Sequence, residues 1–203
     1  MKIVSFYTPN YEWDAKELIK SLDATGIKNY EVDAKSTHGN WVMNTQIKAP
    51  FILEKLRQNE SIVWTDADSR IRQYPSLFDE IKEDCAFFFM PKKNAGSFSL
   101  PPNCILKNDV VERQGYLQSG TMYFKNTPKV IEMLELWCQL NEKDRSQWDQ
   151  WTLQVALNST EGINVYHLPP EYVWIDIYSQ EQFGNKNPVV YHTQASRRFR
   201  YSG

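Results

Sequence analysis

A chain of 203 residues, 41% apolar and 14% aromatic, is long enough to bury a core of its own and too short for two independent domains, so one domain over 1–203 is expected. Its net charge of -2 and pI near 6.0 exclude a protein whose main task is coating nucleic acid through phosphate contacts, with Arg197, Arg198 and Arg200 a local basic exception. No stretch approaches the ~18 apolar residues of a membrane span, and the first apolar run is too short for a signal peptide, so a soluble, cytoplasmic protein is the expectation.

KIVSFY predicts a short buried strand, and TPNYEWDAKELIKSLDATG a turn and then a helix with Trp13, Leu18, Ile19 and Leu22 on its apolar face and a stop at Gly26. NYEVDA reads as a second strand, THGNWVMNTQ as irregular, and IKAPFILEKLRQ as a helix with Ile52, Leu53 and Leu56 on one side. SIVWT returns to strand, YPSLFDEIK is a short helix, and CAFFFMP a strand apolar enough for a sheet interior. After the loop-like NAGSFSLPPNC come a strand in GYLQSGTMYFKNTP, a helix in VIEMLELWCQLNE and a second in SQWDQWTLQVALN capped by Ser146. INVYHLPPEYVW and VVYHTQ add two short strands. The segment YSQEQFGNKNP between them reads as a surface loop, with a lid over the site as its other use. This alternation predicts an α/β fold with a mixed, mainly parallel sheet flanked by helices. Cys85, Cys104 and Cys138 show no C-x-x-C spacing, so neither a disulfide framework nor a zinc site is indicated.

The chemistry concentrates in SIVWTDADSR, where Asp66 and Asp68 follow directly on an apolar strand. In open α/β sheets ligands collect beyond the carboxyl ends of strands. Two carboxylates held close together repel, and a hard divalent cation with oxygen ligands, Mg²⁺ or Mn²⁺, relieves that repulsion while bridging to a phosphate. The same pattern would also arise if Asp66 capped a turn and Asp68 paired with Arg70 or Arg72 on the surface.

In order along the chain, YTPNY, IKAPFILEKL, VWTDADSRI, LQSGTMYFKNTP, SQWDQWTLQVAL and VVYHTQASRR resemble the motifs of the GT-A nucleotide-sugar glycosyltransferases, especially the retaining, glycogenin- and galactosyltransferase-like branch. The resemblance runs from Lys2 to about Arg198. It implies that Thr8, Asn10 and Tyr11 hold the nucleotide, that Lys48 reaches the donor, and that Asp68 binds metal directly while Asp66 helps hold ribose or metal. By the same resemblance Gln118, Ser119 and Gly120 line the sugar pocket, Asp149 orients donor hydroxyls, and Gln150 lies near the anomeric carbon. His192 would be the third metal ligand, with Arg197 or Arg198 the basic group for the diphosphate. The family's usual His-x-x-Gly-x-x-Lys tail is here His-Thr-Gln-Ala-Ser-Arg-Arg, which leaves the choice between the two arginines open. His38 and His167 are not assigned to the metal.

The implied activity is a Mn²⁺- or Mg²⁺-dependent transfer of a sugar from a nucleoside-diphosphate donor, a UDP-sugar first, to a saccharide, lipid or protein acceptor, with retention; inversion would make Asp149 the first suspect for a base. Trp148, Trp151 and the VWIDIYSQEQF segment are candidates for the acceptor side. Three other readings stand beside it. One is a transferase acting on nucleic acid bases, suggested by the aromatics and the basic tail. Another is a nucleotidyltransferase, although YTPNYEWD has no glycine for a triphosphate loop, and the last is a binding module in which the aspartates only hold a turn.

Overall fold

The computed structural model describes residues 1–91 and 100–198, without the side chains of 176 and 177. Most of the NAGSFSLPPNC loop and the last residues of the basic tail, Phe199 and Arg200 among them, lie outside the described residues.

Six strands form one sheet in the order β2-β1-β3-β6-β5-β7: β1 (Ile3–Tyr7), β2 (Tyr30–Ala34), β3 (Ser61–Thr65), β5 (Cys85–Met90), β6 (Tyr116–Lys125) and β7 (Val165–His167). Three of the five pairings are parallel; β6 runs antiparallel to both neighbours. The mixed, mainly parallel sheet expected from the β/α alternation is therefore present. Successive strand residues point to opposite faces, so Ile3 and Val63 join one core while Val4, Phe6, Ile62 and Trp64 join the other. The second core is closed by α3 (Lys48–Arg57), α6 (Pro128–Lys143) and α7 (Asp149–Ser159), whose Ile52, Leu134, Trp137 and Leu153 are fully buried. On the first face, Leu18 and Leu22 of α1 (Glu12–Ala24) pack over Ile3 and over Ile71 from a separate two-stranded ribbon. That ribbon pairs β4 (Ser69–Ile71) antiparallel with β8 (Val190–His192) and sets Ser69 opposite His192.

Several local expectations are corrected. THGNWVMNTQ is not irregular throughout: Asn40 accepts the amide of Met43 through its side chain and starts α2 (Trp41–Gln46). Ser146 does not cap α7. It bonds Asp144 instead, and the N-cap position falls to Trp148, with Asp149 in the first turn. Much of YSQEQFGNKNP is helical, as part of α8 (Asp176–Phe183), because Ser179 buries its hydroxyl against the amide of Ile175 and the helix ends on Gly184 at φ 75°. A short α4 (Leu77–Glu80) lies where expected; α5 (Asn108–Gln114) was not foreseen, its single buried residue, Val111, offering no periodic apolar stripe.

Candidate functional site

The carboxyl ends of β1 and β3 lie side by side, and β6, antiparallel to β3, brings its Gln118–Gly120 segment to the same rim. The Asp66 amide donates to the Gly120 carbonyl at 2.8 Å, extending the β3–β6 ladder into the turn, which closes as the Ser69 amide reaches Asp66 O at 3.0 Å. Asp66 and Asp68 therefore leave a rigid strand end.

The β4–β8 ribbon then delivers His192. One oxygen or nitrogen from each of Asp66, Asp68 and His192 falls within 4.8 Å of the others. His192 is buried, its Nε2 2.9 Å from the Thr121 hydroxyl and its Nδ1 3.2 Å from Ser69 Oγ and 3.8 Å from Asp68 Oδ1. Asp68 accepts the Ala195 amide at 2.8 Å, and its carbonyl takes the amide and hydroxyl of Thr193, which fastens the chain beyond β8 to the aspartate turn. Burial alone would push the Asp68 carboxyl up, but His192 and the Ala195 N–H hold it below the ordinary carboxylate range. Asp66 goes the other way: burial raises it, Lys48 opposes, and the neighbouring Asp68 charge raises it further. Arg70, whose pairing with Asp68 was the alternative use of that aspartate, turns away to the buried Asp14 and to the Trp13 ring.

Lys48 sits at the start of α3 with 6% of its side chain exposed and its Nζ between two carboxylates, 3.0 Å from Asp66 Oδ1 and 2.9 Å from Asp149 Oδ2. Ser119 Oγ joins the same group, 3.2 Å from Nζ and donating to Asp149 at 3.0 Å. Trp64 donates its Nε1 to Asp66. Burial works against the Lys48 ammonium, yet Asp149 and Asp66 outweigh it and hold the group above its ordinary value. Trp137, wholly buried in α6, donates to the carbonyl of Asp149 at 2.8 Å and so fixes the first turn of α7.

Asp66, Asp68, Asp149, Lys48, Ser119 and His192 line one cleft of about 300 Å³. Of the residues the sequence singled out, Thr8, Tyr11, Lys48, Asp66, Asp68, Gln118, Ser119, Gly120, Asp149, Gln150 and His192 line it. Asn10 is exposed beside it and is not a lining residue. Neither arginine lines the cleft: Arg197 lies over the Tyr178 ring at 5.1 Å, and Arg198 pairs with Asp14. Sequence reasoning missed the hydroxyls of Thr65, Ser69 and Thr121 around His192, and Tyr116, whose hydroxyl accepts from Trp151 and bonds Gln150. It also missed Trp41, Asn44 and Thr45, which line the cleft at helical spacing from α2, beside Lys48 of α3.

Among solved structures the chain is similar to a glycosyltransferase involved in glycosylation of the major capsid of PBCV-1, with a TM-score of 0.65 at 13% identity over 98% of this chain and 97% of that one. The chain has a GT-A-like glycosyltransferase fold. It is also similar to the apo structure of the WbbM bifunctional glycosyltransferase, with a TM-score of 0.64 at 15% identity over 96% of this chain; there the chain spans 45% of the other protein's length. No protein-family model and no curated protein sequence matches it. The glycosyltransferase fold accounts for the position of the cleft, since the aspartate turn, the β6 rim and the start of α7 all open on the same edge of its sheet.

Proposed function

We propose that the protein is a metal-dependent glycosyltransferase that moves a sugar from a nucleoside-diphosphate donor to an acceptor with retention of configuration. The observation that carries this reading is the convergence of Asp66, Asp68 and His192 at the floor of a cleft in a glycosyltransferase fold. Two carboxylate oxygens and one imidazole nitrogen are a donor set for a hard or borderline divalent ion, and the nitrogen favours Mn²⁺ over Mg²⁺. A cation bound there would offset the charge that builds on the departing diphosphate.

The remaining roles follow from the chain's own groups. Thr8 and Tyr11, which line the cleft just beyond the β1 end, would receive the nucleoside. Lys48 and Ser119 hold Asp149 in one orientation toward the donor hydroxyls, and Tyr116 does the same for Gln150. With an ammonium at 2.9 Å and a hydroxyl at 3.0 Å both on its Oδ2, Asp149 is held in one orientation, which suits a group that positions the donor, as the retaining reading asks of it. In retention the leaving phosphate itself accepts the acceptor's proton, so no further base is needed.

Calorimetric titration of UDP, GDP and CDP with and without Mn²⁺ tests the proposal, comparing wild type with Asp68→Ala and His192→Ala. Binding of one diphosphate that needs the metal and both side chains is the expected result. Metal-independent binding, or none, would overturn it.

A further inference from the structure

Trp41 and Trp148 meet edge to face at the cleft, ring centroids 5.5 Å apart and planes at 84°, each only partly covered. Trp148 is backed by the buried Trp151, parallel to it at 4.7 Å, and Trp151 in turn donates to the Tyr116 hydroxyl. Trp41 begins α2, and Asn44 and Thr45 follow it three and four positions later, so one face of α2 carries all three to the cleft, with Lys48 beside them at the start of α3. The angle between the indoles is held from behind: buried Gln46 donates to the Gln147 carbonyl at 2.8 Å, while the Gln147 side chain accepts the Ile105 amide and donates to the Asn103 carbonyl. The corner is thus organised before any ligand arrives, which removes an ordering cost from binding.

A corner of two flat apolar walls beside amide and hydroxyl side chains suits a ligand with one apolar face and a polar rim. A pyranose has that form: its C–H face lies on an indole while its hydroxyls meet Asn44, Thr45 and Gln150. A hydrocarbon chain would strip water from those polar groups without replacing it. A polynucleotide needs cations for its phosphates, and among the described residues lining the cleft the single lysine is Lys48, already shared between two carboxylates, with no arginine beside it. We infer that the Trp41–Trp148 corner is a saccharide subsite that receives the acceptor sugar, next to the Lys48–Asp149 group. The inference rests on the glycosyltransferase reading for the word acceptor, and on the corner's own geometry for the word saccharide.

Saturation-transfer NMR tests it, with methyl glycosides of glucose, galactose and mannose added to the full chain saturated with UDP and the diamagnetic ion Mg²⁺. Transfer to the ring C–H protons of at least one glycoside is expected, reduced at least tenfold in Trp41→Ala and in Trp148→Ala and retained in Trp13→Ala, a tryptophan 61% exposed outside the cleft. Circular dichroism and thermal melting verify that the variants are folded, and Trp41→Phe, which keeps an aromatic wall, retains part of the signal. If UDP binds with Mg²⁺ but no glycoside shows transfer, or transfer persists in both alanine variants, the subsite is overturned. Competition by a single-stranded oligonucleotide in place of any glycoside would overturn it as well. Glycoside transfer that depends on both tryptophans in a protein that binds no nucleotide would instead retain the saccharide subsite and overturn the donor reading.

Discussion

A β-carbon on Gly120 would lie 2.8 Å from Cε1 and 3.1 Å from Nδ1 of His192, so the imidazole occupies the space that any larger residue would need. The ring cannot simply swing aside, because Thr121 and Ser69 hold its two nitrogens and it is buried. Gly120→Ala is therefore expected to displace His192 and weaken Mn²⁺-dependent UDP binding by about 10–100-fold, the range found when a partner that orients a metal-binding histidine is lost. Thr121→Val should do the same and Thr121→Ser should recover most of the affinity. Calorimetry with Mn²⁺ and UDP reads all three.

Lys48 neutralises a carboxylate that is almost fully buried. Lys48→Met leaves Asp149 without its counter-charge, which for a buried pair costs about 3–5 kcal/mol. The double variant Lys48→Met with Asp149→Asn should regain part of that loss, because of the two carboxylates Lys48 pairs with only the more exposed Asp66 then lacks its counter-charge. Urea unfolding of the four proteins in the cycle measures the coupling. Lys48 is held above its ordinary value of 10.5, so its contribution is fully present at neutral pH and is lost only in alkali, as pH rises through the raised value.

Arg197 and Arg198 separate by their partners. Arg198 reaches the buried Asp14 from a half-exposed position, and Arg198→Ala is expected to lower stability by about 1 kcal/mol, or roughly 2–4 °C in Tm, with little effect on nucleotide affinity. Arg197 lies over the Tyr178 ring at 5.1 Å and does not line the cleft, so Arg197→Ala is likewise expected to change UDP affinity little. Calorimetry with Mn²⁺ and UDP reads both variants, and a large loss of affinity in either would contradict the placement of these arginines outside the cleft.

Burial pushes the Cys138 thiol up from 9.0 to about 11, and burial raises Cys85 as well. At pH 8 the native protein should alkylate slowly at Cys138, its rate rising about tenfold per pH unit and levelling near pH 11, since the thiolate is the reactive form. Mass spectrometry after timed iodoacetamide treatment at several pH values gives the profile, and urea-unfolded protein should react with the ordinary thiol dependence.

The apolar runs of β1, β3 and β5, the apolar faces of α1, α3 and α6, and the placing of Asp66 and Asp68 directly after β3 are written in the sequence, because strand and helix periods and turn chemistry act over a few residues. So is the order of the motifs from Thr8 to His192. What no local pattern encodes is partnership. Tertiary pairing sets Ser69 opposite His192, 123 residues away, buries Lys48 between Asp66 and Asp149, and turns Arg198 to Asp14. The six residues of α2 are too few to show a period, and the Trp41–Trp148 corner depends on a bond from Gln46 to Gln147 across 101 residues. Local periodicity determines which elements form; burial and non-local hydrogen bonding, which act only once the chain has closed, decide which side chains meet.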